Sequence, residues 1–410
     1  MGFDMMDFTE GGVCAPQGFV ASAVLCGIKK GRVKPDTALI FSEKPCAAAG
    51  VFTKNQVKAE CVKVTASHLE SLTAQAVIVN SGNANACTGA QGIANAQRMA
   101  AAAARELGIV SKEVLVASTG VIGVQLPIEK IEAHAKELSS ALAKNGNEAA
   151  REAILTTDTV YKECAVRFSV GNKTVTIGTM AKGSGMIHVN MGTMLGFITT
   201  DCAISGEMLQ RALRASADDT YNCVSVDGDT STNDSLLIMA NGMAGNAPIT
   251  TAGADFDAFL AALNALNTVM AKKIAADGEG AEHLIECVVS GARTVGEARA
   301  LAKSVVSSSL VKAAFFGRDA NWGRVLCALG YSGVAFTIER TSVAFKNGAG
   351  EIGLYQNGVP LDFDEVSAKR ILSEKETQIV VTMHDGDAEG YAWGCDLTYD
   401  YVKINGDYRT

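Results

Sequence analysis

The sequence predicts an α/β or α+β fold in which layers of sheet and helix share a large core. Strand-like and helix-like segments interleave along all 410 residues without a clean βαβ repeat. Apolar residues make up 48% of the chain and charged residues 20%, which excludes a disordered or low-complexity protein. The length allows two or three domains or one large unit, and no low-complexity linker marks a boundary.

The elements of the first half follow from hydrophobic periodicity and turn residues. Ala76–Asn80 is a buried apolar run and predicts a strand, which ends in the Gly- and Asn-rich loop Ser81–Gly92. The Ala-rich segment Asn95–Leu107 predicts a helix because alanine has the highest helix propensity. Glu113–Ala117 predicts a strand that leads into Ser118-Thr119-Gly120. Pro127–Asn145 is amphipathic with proline near its start, as helices prefer.

The second half continues the alternation of helices and strands. Periodic apolar positions predict helices at Glu207–Ser216, Phe256–Lys272 and Val295–Val311, and a further helix at Val325–Leu329. Short runs of apolar and β-branched residues predict strands at Val224–Val226, Ser235–Ala240, Glu286–Ser290, Gln378–Met383 and Leu397–Ile404. The stretch His384–Gly390 is rich in turn residues.

Charge and cysteine content narrow the class of protein. Asp and Glu (44) exceed Lys and Arg (36), giving a net charge of −8, which argues against nucleic acid as the main partner. No run of 18 apolar residues predicts a membrane span, and the acidic start lacks the pattern of a signal peptide. The 11 cysteines are scattered without CxxC, so most are expected to be buried small hydrophobes. We therefore expect a cytoplasmic protein without a membrane partner.

The segment Met180–Cys202 (MAKGSGMIHVNMGTMLGFITTDC) is the most informative stretch of the sequence. Lys182 precedes Gly183-Ser184-Gly185, but the pattern does not match the phosphate loop GxxxxGK[ST]. From composition alone, a Gly-rich turn entering a buried strand explains it, with Thr193 as a β-branched strand residue.

This segment also resembles the self-cleavage segment of the ornithine acetyltransferases, or glutamate N-acetyltransferases. Five further blocks resemble signatures of that family in the family's order: NSGNANACTG (Asn80–Gly89), STGVIG (Ser118–Gly123), TTDT (Thr156–Thr159), GRDANWGR (Gly317–Arg324) and YVKINGDYRT (Tyr401–Thr410). Together the blocks span nearly the whole chain. The resemblance implies the layered two-sheet fold covered by helices that this family shares with the DmpA-type aminopeptidases.

The resemblance further implies that the precursor cuts itself between Gly192 and Thr193, giving an alpha chain (1–192) and a beta chain (193–410). The small Gly192 leaves its carbonyl accessible to the Thr193 hydroxyl. After the cut, the free α-amine of Thr193, with a pKa of roughly 7.7–8.0, can accept the proton of the hydroxyl nucleophile. This chain has Gly192 and Val189 at two positions where family members often have Ala and Pro, respectively. Without that proline, we expect a less preorganised loop and slower cleavage.

Site residues are carried over from the family one position at a time. Thr119 and Gly120 match the oxyanion hole that stabilises the tetrahedral intermediate of acyl transfer. Lys182 provides a cation suited to a substrate carboxylate, and Glu279 an acidic group suited to a substrate amine. The positions that match the family's substrate-binding residues are Thr156, Lys182, Thr193, Glu279, Asn405 and Thr410. Without the family, Thr119-Gly120 would be an ordinary strand-to-loop turn and Glu279 an exposed loop carboxylate.

By this resemblance the protein is an enzyme that transfers acetyl from N2-acetyl-L-ornithine to L-glutamate through an acetyl-Thr193 intermediate, in arginine biosynthesis. The implied mechanism needs no metal and no cofactor. Some family members also use acetyl-CoA to acetylate glutamate, and the processed enzyme is a heterotetramer of two alpha and two beta chains. Two alternatives remain open: a self-processed aminopeptidase or amidohydrolase of related fold, and a non-catalytic binding protein.

Three further features have mainly structural interpretations. His188 lies upstream of the cut and is expected to be structural or peripheral. Arg318, Asp319 and Arg324 surround Trp322 and predict an internal salt-bridge and packing motif rather than a phosphate or carboxylate site. The acidic run Asp227, Asp229 and Asp234 lacks the spacing of a calcium loop, so no metal site is assigned.

Overall fold

The computed structural model describes residues 6–188 and 194–407. Val189, Gly192 and Thr193, with the predicted cleavage point, lie outside these residues, as does Thr410. The strands of the described residues are β1 (Asp7–Thr9), β2 (Phe19–Val24), β3 (Thr37–Phe52), β4 (Thr73–Asn83), β5 (Val114–Val121), β6 (Lys162–Val170), β7 (Lys173–Lys182), β8 (Ile187–His188), β9 (Leu195–Thr200), β10 (Ser225–Thr230), β11 (Ser235–Ala240), β12 (Leu284–Ala292), β13 (Ser342–Asn347), β14 (Gly350–Gln356), β15 (Val359–Pro360), β16 (Glu376–Thr382) and β17 (Ala388–Cys395).

The helices of the same part of the chain alternate with these strands. They are α1 (Glu60–His68), α2 (Gly89–Leu107), α3 (Ile128–Ser140), α4 (Asn147–Ala153), α5 (Gly206–Asp219), α6 (Ala254–Ala276), α7 (Val295–Ser307), α8 (Ser309–Phe316), α9 (Trp322–Gly330), α10 (Glu365–Ile371) and α11 (Tyr399–Asp407).

Two large mixed sheets organise the described residues. The first has the order β1-β6-β7-β9-β11-β3-β4-β5, with β2 paired to β3, and the second has the order β15-β14-β13-β16-β12-β17. The short strands β8 and β10 pair separately. The predicted α/β class with two layered sheets and covering helices is confirmed.

Helices pack on both sheets, and one of them lies between the two. Helix α6 contacts β6 and β7 of the first sheet and β12 and β17 of the second, so it lies between the two. Helix α5 packs on β3, and α7 packs on β12 and β17. Elsewhere on the first sheet, α1 and α2 pack on β5, α3 packs on β2, and α4 packs on β2 and β3.

The centre of the first sheet joins the chain segments on either side of the predicted cut. Strand β9 pairs antiparallel with β7 and parallel with β11, and β11 pairs antiparallel with β3. Every residue of β9 and β11 is buried, because side chains pack on both faces of the sheet here. In β11, Leu236 and Ile238 belong to one core cluster, whereas Leu237 and Met239 belong to another. Both segments therefore contribute to shared cores, and their separation into two chains stays a prediction.

Most elements predicted from the sequence are confirmed, and the predicted strand Ser235–Ala240 has the same bounds as β11. The predicted helix Val295–Val311 is instead two helices, α7 and α8. The break lies at Ser308, whose backbone is extended (φ −70°, ψ 114°) and whose side chain accepts a hydrogen bond from the Val311 N–H. A serine hydroxyl that caps a new helix competes with continuation of the previous one.

The predicted strand Leu397–Ile404 is wrong, because this segment forms helix α11. Its aromatic and β-branched residues favour a strand by composition, but Tyr401 and Ile404 are the half-buried positions. A spacing of three residues places them on one helix face, whereas a strand would bury alternate residues. The Thr398 hydroxyl donates a hydrogen bond to the Gly280 carbonyl (2.7 Å) and holds the start of this helix.

Two global expectations concern cysteines and membranes. Eight of the 11 cysteines are buried and all are unpaired, which confirms that most act as small apolar side chains. Among the described residues, none of the helices combines the length and the apolar character that crossing a bilayer requires.

Candidate active site

A pocket between the ends of the central strands brings together the predicted site residues that the structure describes. They are Thr119, Gly120, Thr156, Lys182, Glu279 and Asn405, from five separate parts of the chain. Met194, which follows Thr193 directly in the sequence, lines the same pocket. Gly192, Thr193 and Thr410, which the sequence also predicts as site residues, lie outside the described residues.

Thr119 and Gly120 lie near the end of β5, where this strand runs parallel to β4. Gly120 has a φ of +131°, a backbone conformation that other residues rarely adopt. A Cβ added to Gly120 would lie 2.4 Å from the carbonyl carbon of Gly82, so only glycine fits. The Asn233 side chain donates hydrogen bonds to the carbonyls of Ser118 (2.8 Å) and Ala84. The β5 end is thus held from both sides, as a fixed hydrogen-bond donor for an oxyanion requires.

Lys182 belongs to a buried ion network at the end of β7. Its Nζ lies 3.9 Å from Oδ2 of Asp158, and Lys162 Nζ lies 2.8 Å from Oδ1 of the same carboxylate. Lys162 also pairs with Asp277. Burial alone would raise the pKa of Asp158, but Lys182 and Lys162 outweigh it and lower the pKa to about 2. Asp158 therefore stays charged and orients Lys182 toward the pocket edge.

The same carboxylate also fixes the backbone directly after Lys182 and the backbone at Thr156. Asp158 Oδ1 accepts a hydrogen bond from the Gly183 N–H (2.7 Å), and its Oδ2 accepts one from the Thr156 N–H (3.2 Å). Thr159 and Val160 donate their backbone N–H groups to Asp277. The TTDT block is thus the hydrogen-bonded frame that joins Thr156 to Lys182.

Glu279 is buried, with 7% of its surface exposed, and does not behave as a solvated loop carboxylate. Its Oε2 accepts a hydrogen bond from Asn405 Nδ2 (2.8 Å), which connects helix α11 to the pocket. Its backbone N–H donates to the Ser184 carbonyl (3.1 Å). A Cβ added to Gly185 would lie 2.3 Å from the Glu279 carboxyl carbon, so Gly185 makes room for this side chain.

The segment before the predicted cut is anchored by Asp227. Its two oxygens accept hydrogen bonds from the backbone N–H groups of Met186 (2.6 Å) and Ile187 (2.8 Å). His188 contacts the Ser225 hydroxyl through Nδ1 (3.0 Å). Burial, with a smaller contribution from Lys303, lowers the pKa of His188 to about 4, so the imidazole is neutral near pH 7. The structural interpretation of His188 agrees with this arrangement.

Sequence reasoning missed three residues of the pocket and its frame: Asp158, Asn233 and Asp234. Asp158 lies inside the TTDT block, in which the resemblance points only to the first residue, Thr156. Asp234 belongs to an acidic run in the sequence, and it lies directly before the buried strand β11. It lines the pocket and is 3% exposed. Burial raises the pKa of its carboxyl well above the usual value, against the opposing effect of the nearby Ser231 and Thr53 hydroxyls.

The GRDANWGR block lies in a different part of the fold. Trp322 stacks on Tyr355 with ring centroids 5.3 Å apart, and the Asn321 side chain caps α9. Arg324 donates to the Leu310 carbonyl (2.8 Å). The packing role is confirmed, but the predicted internal salt bridge is wrong, because none of the ion pairs among the described residues involves Arg318, Asp319 or Arg324.

Comparison with known proteins places this arrangement in a family context. A model of the ArgJ family matches residues 20–410. The arginine biosynthesis bifunctional protein ArgJ of Symbiobacterium thermophilum is 53% identical over 406 residues, which cover 99% of this chain and 100% of that protein. The arginine biosynthesis bifunctional protein ArgJ 1 of Clostridium acetobutylicum is 50% identical over 392 residues, 96% of each chain.

A solved structure is similar to part of the chain. The crystal structure of the arginine biosynthesis bifunctional protein ArgJ from Bacillus halodurans matches with 46% identity and a TM-score of 0.50. The match covers 52% of this chain and 98% of that one.

Proposed function

The chain belongs to the ArgJ family of arginine biosynthesis, and on that premise we propose that it transfers acetyl from N2-acetyl-L-ornithine to L-glutamate. The observation that carries this proposal is the pocket in which Thr119, Gly120, Lys182 and Glu279 meet beside Met194. These residues come from distant parts of the sequence, yet they supply an oxyanion donor, a cation and a carboxylate around one cavity.

Thr193 is the proposed nucleophile, and its α-amine is the proposed base. The hydroxyl oxygen attacks the acetyl carbonyl of acetylornithine while the amine takes the hydroxyl proton. The Thr119 hydroxyl and the Gly120 N–H stabilise the tetrahedral oxyanion. The C–N bond then breaks, the amine returns the proton to the leaving nitrogen, and ornithine departs. Glutamate attacks the resulting acetyl ester with its α-amine, giving N-acetylglutamate and the free Thr193 hydroxyl.

Both amino acids carry an α-carboxylate, so one cationic subsite can serve the two half-reactions. Lys182 is the proposed partner of that carboxylate, because Asp158 holds its ammonium group at the pocket edge. Glu279 is the proposed partner of a substrate amine, and Asn405 positions its carboxylate. Thr156 and Thr410 are the remaining proposed substrate contacts.

Self-cleavage between Gly192 and Thr193 is part of the proposal, since only a cut chain has a free Thr193 amine. The Bacillus halodurans match supports it, because that crystallised chain corresponds to about half of this one. We propose an assembly of two alpha and two beta chains, with a mass about twice the 42.6 kDa of the precursor. The proposed location is the cytoplasm.

The relatives' names contain the word bifunctional, which supports acetyl-CoA as a second proposed acetyl donor. Incubating the enzyme with acetyl-CoA and glutamate, without acetylornithine, tests this point. N-acetylglutamate should form at a rate proportional to enzyme concentration, and its absence would leave acetylornithine as the donor.

The main proposal is tested by following ornithine release from acetylornithine with and without glutamate. The expected result is release that continues only with glutamate and yields an equal amount of N-acetylglutamate. Release that ignores glutamate would indicate the hydrolase alternative. Thr193→Ala should abolish transfer and leave one band near 42.6 kDa on a denaturing gel, where the wild type gives two bands of about half that mass.

A further inference from the structure

A second cavity lies beside the candidate active site, and the proposed transfer between two amino acids does not use it. Its volume is about 410 Å³, within the usual range of small-ligand sites. A loop of residues 29–34, here called the basic loop, lines one part of this basic cavity, and Glu152, Leu155, Thr156 and Asp158 line the rest. Thr156 also lines the active-site pocket, so the two cavities adjoin at this residue.

The lining of the basic cavity carries an excess of positive charge. Its cations are Lys29, Lys30, Arg32 and Lys34, and its carboxylates are Glu152 and Asp158. Lys34 pairs with Glu152 (3.0 Å), and Asp158 already pairs with two lysines beside the active-site pocket. The chain as a whole has a net charge of −8, so these cations form a local exception. A cavity lined by one sign of charge attracts ligands of the other sign, which predicts an anionic ligand.

The basic loop is held in position by Arg32. Its guanidinium donates hydrogen bonds to the carbonyls of Leu155 (3.1 Å) and Pro35 (2.9 Å), and its backbone N–H donates to the Lys29 carbonyl (3.2 Å). Gly31 has a φ of +81°, which allows the tight turn between Lys29 and Arg32. Arg32 therefore has a structural role, and the loop is an ordered part of the cavity wall.

The basic loop also contacts strand β4 next to the candidate oxyanion hole. A Cβ added to Gly82 would lie 3.1 Å from the Lys29 Cβ, so the loop packs against this glycine. Gly82 is the partner of Gly120 in the pairing of β4 with β5. Lys29 and Lys30 are both exposed, so a ligand that enters from solvent can reach them. A ligand in the basic cavity would thus lie beside the place where the acetyl group is proposed to react.

We propose that the basic cavity binds the phosphate groups of coenzyme A when acetyl-CoA is the acetyl donor, with Lys29 and Lys30 as the contacts. This inference rests on the proposed function, since it gives the second proposed donor a subsite beside the same pocket. Coenzyme A carries its phosphates at one end and its thiol at the other, so it needs an anion site outside the pocket that receives the acetyl group. Acetylornithine and glutamate carry no phosphate. Lysine ammonium groups are common ligands of phosphate.

The first test measures binding to the purified enzyme by isothermal titration calorimetry. Coenzyme A should bind at least about tenfold more tightly than pantetheine, which lacks the nucleotide and its phosphates, because a charge-assisted hydrogen bond typically contributes about that much. Combining Lys29→Gln with Lys30→Gln should remove this preference, whereas Lys30→Arg keeps the charge and should retain it. Lys112→Gln is the control, because Lys112 is an exposed lysine that lines neither cavity.

Steady-state kinetics on the same proteins separate a phosphate site from a distorted active site. The double substitution should raise KM for acetyl-CoA at least about tenfold, because the lost contacts are charge-assisted. It should leave KM for acetylornithine within about twofold, as expected of exposed side chains away from that substrate. An equal rise of both KM values would show that the pocket itself has changed and would overturn the assignment.

Further outcomes distinguish this inference from the proposed function. Coenzyme A that binds no more tightly than pantetheine, or that binds the double variant as well as the wild type, would overturn the inference while glutamate-dependent transfer from acetylornithine stands. Pyrophosphate that binds as tightly as coenzyme A, with the same dependence on the two lysines, would indicate a site for free phosphates and overturn the coenzyme A assignment. Lysine-dependent binding of coenzyme A without any acetyl transfer would support the subsite and overturn the proposed function.

Discussion

Replacing Asp158 by Asn should destabilise the protein, because this carboxylate neutralises two cations in the interior. Lys162 is fully buried and Lys182 nearly so, and Asp158 contacts both. The difference between its ordinary pKa of 3.8 and its value of about 2 in the fold corresponds to about 2 kcal/mol. Removing one partner of a buried pair also leaves the other charge uncompensated, at a typical total cost of about 3–5 kcal/mol.

The expected change in melting temperature follows from the chain length. An unfolding entropy of about 2.1 cal/mol/K per residue gives about 0.9 kcal/mol/K for 410 residues. A loss of about 2–5 kcal/mol therefore lowers Tm by about 2–6 °C. Differential scanning calorimetry of Asp158→Asn in a Thr193→Ala background keeps one uncut chain under the proposed maturation. Asp387→Asn, at an exposed position, is the matched control and should shift Tm by less than about 1 °C.

The pH dependence gives the sharper check. A carboxyl with a lowered pKa stabilises the fold above its unfolded pKa, and this contribution disappears as the pH falls through the folded pKa. The part due to ionisation of Asp158 should be complete at pH 7, about half present at pH 3, and absent below about pH 2. The Tm difference between the Asp158→Asn chain and its parent should narrow accordingly. A difference that is absent at pH 7, or constant down to pH 3, would refute the assigned role of the ion network.

Three further substitutions probe the pocket. Gly120→Ala should reduce kcat by about 100-fold or more, because the added methyl group would collide with Gly82. Gly348→Ala, which has open space around it, is the control and should leave kcat unchanged. Equal kcat values for the two variants would contradict the oxyanion role of Gly120. Gly185→Ala should displace Glu279 and raise KM for acetylornithine more than it lowers kcat, and steady-state kinetics measure both. The lowered pKa of His188 means that its imidazole takes up a proton more readily in the unfolded chain, so the wild-type Tm should fall as the pH drops from 6.5 to 4. His188→Gln should reduce this loss of Tm. An unchanged dependence of Tm on pH would argue against the burial of His188.

Elements with a strong local pattern were predictable from the sequence. Strand β11 (Ser235–Ala240) is an unbroken apolar run between polar residues, and burial on both faces requires that pattern. The Ala-rich helix α2 was predicted because its propensity and its packing agree, although the structure begins it at Gly89 rather than Asn95. Local and tertiary preferences coincide in both elements.

Where those preferences conflict, the sequence alone was insufficient. The residues of α11 favour a strand, but contacts with Gly280 and Glu279 select the helix, and these partners lie more than 100 residues away. The site shows the same division. Thr119, Gly120, Lys182 and Glu279 lie in motifs that resemble a known family, whereas the role of Asp158 follows from two lysines that only the fold brings to one carboxylate. The position of Asp234 at the pocket depends in the same way on the parallel pairing of β9 and β11.

The position of β9 in the middle of the first sheet has a consequence for the order of folding and cleavage. Its neighbours β7 and β11 come from opposite sides of the proposed cut, and the groups around that cut are assembled only when all three strands are paired. Under the proposed maturation, a chain that has not folded would lack the assembled site and stay whole, whereas a folded chain would cut itself and keep its two halves paired in one sheet. Cleavage at Thr193 would thus distinguish every copy that has reached its native state from the copies that have not.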